Sequence, residues 1–367
     1  MPVTKKNQLV GLDIGSHSIK LVEIDDSKKG MILKNFGIIS LPNDAIVEGN
    51  IKEMEIAASA IRTLFKHLNV KNKNVAISIS GFSVIVKKIT ISKRDESELE
   101  ASIHEEAEQY IPFDISDVNL DYDILASPKK EAGEEEEEEE SEAEKEPKFM
   151  DVMLVAAKKD IIEDYESLVH LAGLTPLVMD VDAFALQNAF EVSSEDTSGS
   201  YAIINVGATE LGINAVKDGI SMFTRDSSYG GSQITEAIMT KLNLSFEEAE
   251  KIKLGGTKID DRMKGEVEEI FTTMVSGWVQ EIKRALDFLS TTYPDETIEK
   301  ILVSGGAYRI PGFLKYLEME TELPIEELNP FKDLQINEKI FDPRYLSYIA
   351  PQAGVAVGLA LRSVGDK

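Results

Sequence analysis

Two glycine turns constrain the fold of this chain more than any other feature. Residues 11–22 read GLDIGSHSIKLV and residues 203–214 read IINVGATELGIN. Each runs apolar, then Asp13 or Asn205, an apolar residue, a glycine, a small residue and a new apolar stretch. That order predicts strand, tight turn, strand. Gly15 and Gly207 stand 192 positions apart, so the chain restarts its opening pattern halfway along. A third glycine turn, Gly305-Gly306, follows the apolar run Lys300–Ser304.

The rest of the pattern alternates between strands and helices. Helical spacing of apolar residues predicts helices over 51–68, 96–110, 161–172, 231–242, 246–254, 267–293 and 313–322. Pro112 stops the second of these and Gly173 the third. Apolar or alternating runs predict strands at 31–39, 75–80, 84–91, 120–125, 152–157 and 300–304. Interleaved elements of this kind belong to the α/β class. Trp278, on the stripe of the longest helix, reads as core.

With 43% apolar and 29% charged residues, the chain can bury a large core. Its formal charge is −27, which disfavours nucleic acid and anionic lipid as non-specific partners. Residues 131–146 carry −10 of that charge; their glutamates repel one another and predict a disordered solvated loop. There is no cysteine, which excludes disulfides and thiolate metal sites. The longest apolar run, AGVAVGLAL at 353–361, is about half the roughly 20 residues of a spanning helix and predicts a closely packed buried helix. No signal-peptide pattern opens the sequence, so the expected location is cytoplasmic.

The turns also carry chemistry. Glycine has no Cβ to keep a phosphate from backbone N–H groups. Asp13 could hold Mg²⁺ directly or through water, and Lys20 could place a positive charge on a phosphate. A hairpin of this kind is often only a turn. Three such turns at strand ends converge more naturally on one nucleotide. The four histidines show no metal-ligand spacing, and Gly255-Gly256 reads as a helix stop rather than a phosphate loop.

On these residues the sequence resembles the actin-like ATPase superfamily, which includes actin, heat-shock chaperones, sugar kinases and bacterial FtsA. The resemblance implies an actin-like, ribonuclease H-like, two-domain ATPase fold that binds ATP and Mg²⁺. Asp13, Gly15, Ser16 and Lys20 would form the first phosphate turn, with Asp13 on the metal side. Asn205, Gly207, Ala208 and Thr209 would form the second. Gly305, Gly306 and Ala307 would face the adenosine, as would Gly230 and Gly231. The AExIK motif of FtsA-like members appears here as Ala249–Lys253, bringing Glu250 and Lys253. Many relatives carry Asp where this chain has Asn205, which implies slow or absent hydrolysis. Asp180 and Asp182 lie where the superfamily orients its attacking water; an exposed or helix-capping role is the alternative reading.

The opening GLDIGSHSIKLVEI, EEAEQYIPF at 105–113, MDVDAFALQNAF at 179–190 and GGSQITEAI at 230–238 resemble the PilM family, the FtsA-like actin relatives of type IV pilus assembly. That resemblance implies a first domain of residues 1–83, 174–198 and 346–367. An FtsA-like subdomain would be inserted at 84–173, with the acidic loop at 127–148. The second domain would span 199–345 and carry a helical part near 230–298. It also implies a partner, the N-terminal cytoplasmic peptide of an inner-membrane PilN-like protein, and so recruitment to the inner membrane without an anchor of the chain's own. Tyr110, Ile111 and Phe113, at the end of the helix 96–110, are the candidate peptide contacts; the alternative is that they serve the subdomain's own core. Two competing functions are a small-molecule kinase on the same fold, which lacks an evident catalytic base here, and an FtsA-like division protein, which would end in an amphipathic membrane helix. Self-association is left open.

Overall fold

The structure, a computed structural model, describes residues 8–27, 30–125, 149–194, 196–256 and 259–365. The acidic tract 131–146 and the loop 127–148 expected to be disordered lie outside the described residues. Contacts divide the chain into two units, Met1–Phe82 with Ile161–Asp366, and Ser83–Asp160.

The first unit is built from the same sheet twice. Strands Val10–Ile14, Ser18–Ser27 and Gly30–Ser40 form an antiparallel meander, and Asn74–Ile79 and Thr175–Val181 extend it in parallel on the free side of Val10–Ile14. In the second half Ser200–Val206, Leu211–Lys217 and Ile220–Ser227 form the meander. Lys300–Gly305 and Ile325–Glu327 extend it in parallel on the free side of Ser200–Val206. The repeat in the sequence is therefore a repeat of topology, and the α/β actin-like expectation stands.

Two helices fill the space between these sheets. Asp182–Ser193 and Gly354–Leu361 contribute Ala185, Leu186, Phe190, Val355 and Leu359 to one buried cluster. Leu9 and Ala76 enter it from the first sheet, and Tyr201, Ile203 and Leu302 from the second. The terminal helix lies very close to its neighbours. A Cβ on Gly11 would fall 2.1 Å from the Ala356 carbonyl oxygen, and one on Gly358 would fall 1.6 Å from that of Ala185. The outer face of the second sheet is covered by helices Gly231–Leu242, Phe246–Lys253, Asp261–Thr292 and Phe313–Thr321. Trp278 is fully buried there, edge-on to Phe313, as its place on the stripe implies. Among the described residues no helix is long and apolar enough to cross a membrane.

The second unit is a three-stranded antiparallel sheet, in the order Val84–Ser92, Phe149–Lys158, Val118–Leu125. Helix Glu96–Ala107 packs on it through Leu99, Ile103 and Ala107. A reciprocal capping box between Asp95 and Glu98 starts that helix. This unit returns to the first at 160 rather than at the expected 173. Helix Lys159–Leu171 joins the first unit because Arg62 donates to the Leu171 carbonyl, and because Tyr165 is buried close to the charges of Asp182, Glu210 and Asp13.

Candidate nucleotide site

The first hairpin places Asp13 directly across from Lys20. The Asp13 carboxylate is nearly buried and pairs with Lys20 Nζ at 3.1 Å. Glycine at 15 lets the chain reverse with its N–H donating to the Ser18 carbonyl at 3.2 Å. The second hairpin reverses in the same way, Gly207 N–H donating to the Glu210 carbonyl at 2.8 Å. Here Asn205 faces Gly212, so this pair carries no charge. The two turns meet: Ser16 Oγ and Thr209 Oγ1 lie 2.8 Å apart and share a hydrogen bond.

The remaining glycines explain how the second turn is held. A Cβ on Gly230 would lie 2.3 Å from the Ala208 carbonyl oxygen, so the chain passes beneath the turn only as glycine. Gly231 and Ser232 then donate their N–H groups to the carbonyls of Gly207 and Ala208. Two of the amides that a helix start leaves unpaired thus brace the turn. Gly305 has φ +97°, and a Cβ there would meet Val206 at 2.2 Å. Ala307 N–H donates to the same Val206 carbonyl. Gly306 is different: its Cβ position meets only the Gln352 side chain, at an ordinary 3.7 Å.

Glu250 and Lys253 close the far side. Lys253 pairs with Glu250 and donates to Thr235 Oγ1 at 2.9 Å and to the Gly231 carbonyl at 3.2 Å. The Ala307 Cβ lies 3.1 Å from where a Gly231 Cβ would be. Every residue expected at the nucleotide therefore belongs to one neighbourhood, assembled from five chain segments. Two further residues join it that no sequence pattern marks. Thr235 bridges Glu250 and Lys253. His17, bland by its spacing, lies close enough to Glu250, Lys253 and Lys20 for their charges to act on it; partial burial of its ring pushes its pKa down, and Glu250 opposes that.

Asp180 and Asp182 have separate fates. Asp180 is buried and paired with Arg362 at 3.2 Å, a structural ion pair. Asp182 starts the helix Asp182–Ser193 and accepts from Ser78 Oγ at 2.5 Å. Burial, and then the charge of Asp13, push its pKa up to about 7. Of the two only Asp182 looks toward the first hairpin. Behind the second hairpin stand two more carboxylates, Glu210 and Asp226. Burial raises both, Asp226 adding to the effect on Glu210.

No group of three or more His, Asp or Glu among the described residues is arranged to hold a metal ion. One nearly buried carboxylate, Asp13, beside a lysine fits a Mg²⁺ that arrives with phosphates and keeps most of its waters.

The three candidate peptide contacts also separate. Ile111 is buried in the core of the second unit. Tyr110 and Phe113 are half-buried at its edge. Lys87 Nζ lies 5.2 Å from the Tyr110 ring centre and Lys158 Nζ 4.6 Å from that of Phe113.

Comparison with known proteins agrees with this geometry. The cell division protein FtsA of Bacillus subtilis is 22% identical over 95% of this chain and 82% of its own. Among solved structures, the "PilM-PilN type IV pilus biogenesis complex" superposes with a TM-score of 0.82 at 26% identity, covering 98% of this chain and 99% of the other. The ethanolamine utilization protein EutJ from Carboxydothermus hydrogenoformans shares the fold at 15% identity, with a TM-score of 0.56 over 98% of this chain and 91% of its own. The family model of the type IV pilus assembly protein PilM matches residues 11–364. The chain thus belongs to the PilM family of type IV pilus assembly proteins.

Proposed function

We propose that this chain is a nucleotide-binding scaffold of type IV pilus assembly. It takes Mg²⁺–ATP between its two hairpins and docks the N-terminal cytoplasmic peptide of an inner-membrane PilN-like protein through its second unit, which recruits it to the membrane. One observation carries the nucleotide reading: three glycine turns and the Glu250–Lys253 pair converge, with Ser16 touching Thr209 where a phosphate would part them. In this reading Lys20 and the turn amides hold phosphate, Asp13 orients the metal's waters, and Lys253, Glu250 and Thr235 face the nucleoside. Asn205 leaves the second hairpin without a carboxylate, so ATP acts mainly as a clamp with slow turnover. Asp182, poised near neutrality, is the group placed to orient water.

The peptide reading rests on family membership and on the likeness to a PilM chain solved in complex with PilN. Tyr110 and Phe113 offer half-buried aromatic faces at one edge of the second unit; Ile111 serves that unit's core.

Calorimetry with Mg²⁺–ATP, paired with fluorescence anisotropy of a labelled PilN-like N-terminal peptide, tests both parts. Asp13→Ala should weaken ATP and spare the peptide. Phe113→Ala should weaken the peptide by roughly thirtyfold, about 2 kcal/mol, and spare ATP. Equal ATP affinity in wild type and Asp13→Ala would remove the nucleotide from this site. Unchanged peptide affinity in Phe113→Ala would move the docking site elsewhere.

A further inference from the structure

The chain leaves the first sheet at Ile79 and enters the second unit at Ser83, so Ser80, Gly81 and Phe82 are the exit. This exit is held by side chains 130 to 145 residues away. Gly81 N–H donates to Asp226 Oδ2 at 2.8 Å. The Ser80 hydroxyl donates to the Glu210 carboxylate. Gly81 has φ +83°, and a Cβ on it would sit 2.8 Å from Glu210 Oε2. A glycine is needed there for two reasons: the backbone is in the left-handed region, and the carboxylate lies against it.

Both acceptors belong to the phosphate machinery's own supports. The Glu210 carbonyl closes the second turn by accepting from Gly207, while its side chain reaches back to the exit. Asp226 lies across from Gly212 on the neighbouring strand, four residues before the Gly230 that passes under Ala208. Its strand is fixed from the other side as well. Arg225 and Ser227 both reach the buried Glu281 on helix Asp261–Thr292, at 2.8 and 3.1 Å. Residues 225–227 therefore alternate: the outer two are clamped to the long helix and the middle one to the exit. A shift of the turn Gly207–Glu210 by even a fraction of an ångström must be taken up by the Ser80–Gly81 bonds, because nothing else in this chain of contacts has slack.

We propose that Asp226 and the Ser80–Glu210 pair are positioning residues that couple occupancy of the second phosphate turn to the exit peptide, so that nucleotide and partner peptide bind with a reciprocal effect on each other. This rests on the reading above, in which a nucleotide parts the hairpins and the second unit takes the peptide. Coupling between two sites requires a physical link biased by both ligands, and here the link is four residues long.

The test measures peptide affinity by anisotropy with and without saturating Mg²⁺–AMPPNP, and AMPPNP affinity by calorimetry with and without peptide. In wild type the two ratios should agree and reach about fivefold or more, the lower end of common couplings. Asp226→Ala and Ser80→Ala should bring the ratio near one, with each separate affinity within threefold. Asp226→Asn keeps an acceptor for Gly81 N–H and should restore most of the ratio, which a merely structural loss would not. Hydrogen exchange at the Gly81 amide, read on the ligand-free proteins, should be slow in wild type and Asp226→Asn and fast in Asp226→Ala. A ratio of one in wild type with both ligands bound overturns the coupling and leaves the function. An unchanged ratio in Asp226→Ala and Ser80→Ala overturns the assignment to these residues. Failure of wild type to bind AMPPNP or peptide overturns the function itself, and with slow Gly81 exchange still observed it reduces the contact to a structural clip.

Discussion

The two hairpins share a backbone and differ in charge. At corresponding register positions the first has Asp13 opposite Lys20, and the second has Asn205 opposite Gly212. The second hairpin carries its acid at the end of the turn instead, on Glu210, turned back toward the exit strand. A duplicated sheet has thus divided its labour. One copy supplies a nearly buried ion pair for metal and phosphate. The other supplies a backbone cradle, braced by Gly230, Gly231 and Ser232, and a handle on the rest of the chain.

Side-chain space is the sharpest way to break this comparison. Gly230→Ala sets a Cβ 2.3 Å from a carbonyl oxygen and should cost about 3 kcal/mol or more, at the top of the range for overpacking. Gly15→Ala meets nothing nearer than 3.3 Å and should cost a small fraction of that. Urea unfolding of both variants measures the difference, and equal losses would mean that the cradle is not rigid. Gly305→Ala should behave like Gly230→Ala, and Gly306→Ala like Gly15→Ala.

Charge comes next in size. Asp13→Asn should lower Mg²⁺-dependent ATP affinity tenfold or more, a figure in keeping with the roughly 1.5–3 kcal/mol of hydrogen bonds to charged groups. Asn205→Asp gives the second hairpin the first one's carboxylate and should raise the rate of phosphate release severalfold. Calorimetry and a phosphate-release assay read the two effects; no gain in Asn205→Asp would show that the missing charge does not limit turnover.

The pH dependence follows from Asp182. Its carboxyl is raised from the ordinary range near 4 to about 7 in the folded protein. Between these values the folded state holds a proton that the unfolded state has released, so this group's contribution to stability falls as pH rises through that window. Asp182→Asn should therefore gain melting temperature relative to wild type between pH 5 and pH 8. A constant difference would mean that Asp182 does not titrate there.

The smallest effect concerns the contact between the copies. The Ser16–Thr209 hydrogen bond should contribute about 1 kcal/mol in a double-mutant cycle with Ser16→Ala and Thr209→Val, measured without nucleotide. With saturating Mg²⁺–ATP the coupling should vanish if phosphate separates the turns.

Much of this is legible in the sequence because it lies in local patterns. The hairpins, the Ala249–Lys253 motif and the amphipathic helices each declare themselves within a dozen residues. What stays hidden has weak periodicity or depends on distant contacts. Helix Asp182–Ser193 escapes the pattern because it is buried nearly all round, Gln187 and Ser193 included, and so shows no polar stripe. Strand Ile220–Ser227 is mostly half-buried and alternates poorly; the Asp218-Gly219 pair, both with positive φ, is the hairpin signal before it. Asp226 and Glu210 cannot be linked to Ser80 and Gly81 by any spacing. The same holds for Asp180, whose partner Arg362 removes it from the site.

The tight fit of the terminal helix has a consequence for synthesis. Gly11 and Gly358 let helix Gly354–Leu361 lie against the first strand of the chain and against helix Asp182–Ser193. The piece that covers Val10–Ile14 is therefore made some 340 residues after it. At about 5–20 residues per second this is a delay of roughly 20–70 seconds, during which that apolar strand has no native cover from the helix. Contacts this distant in sequence slow folding and prolong exposure to aggregation. A nascent chain of this design depends on being shielded while it emerges, and a transcript cut before the codon for Gly354 would yield a product whose first sheet never closes.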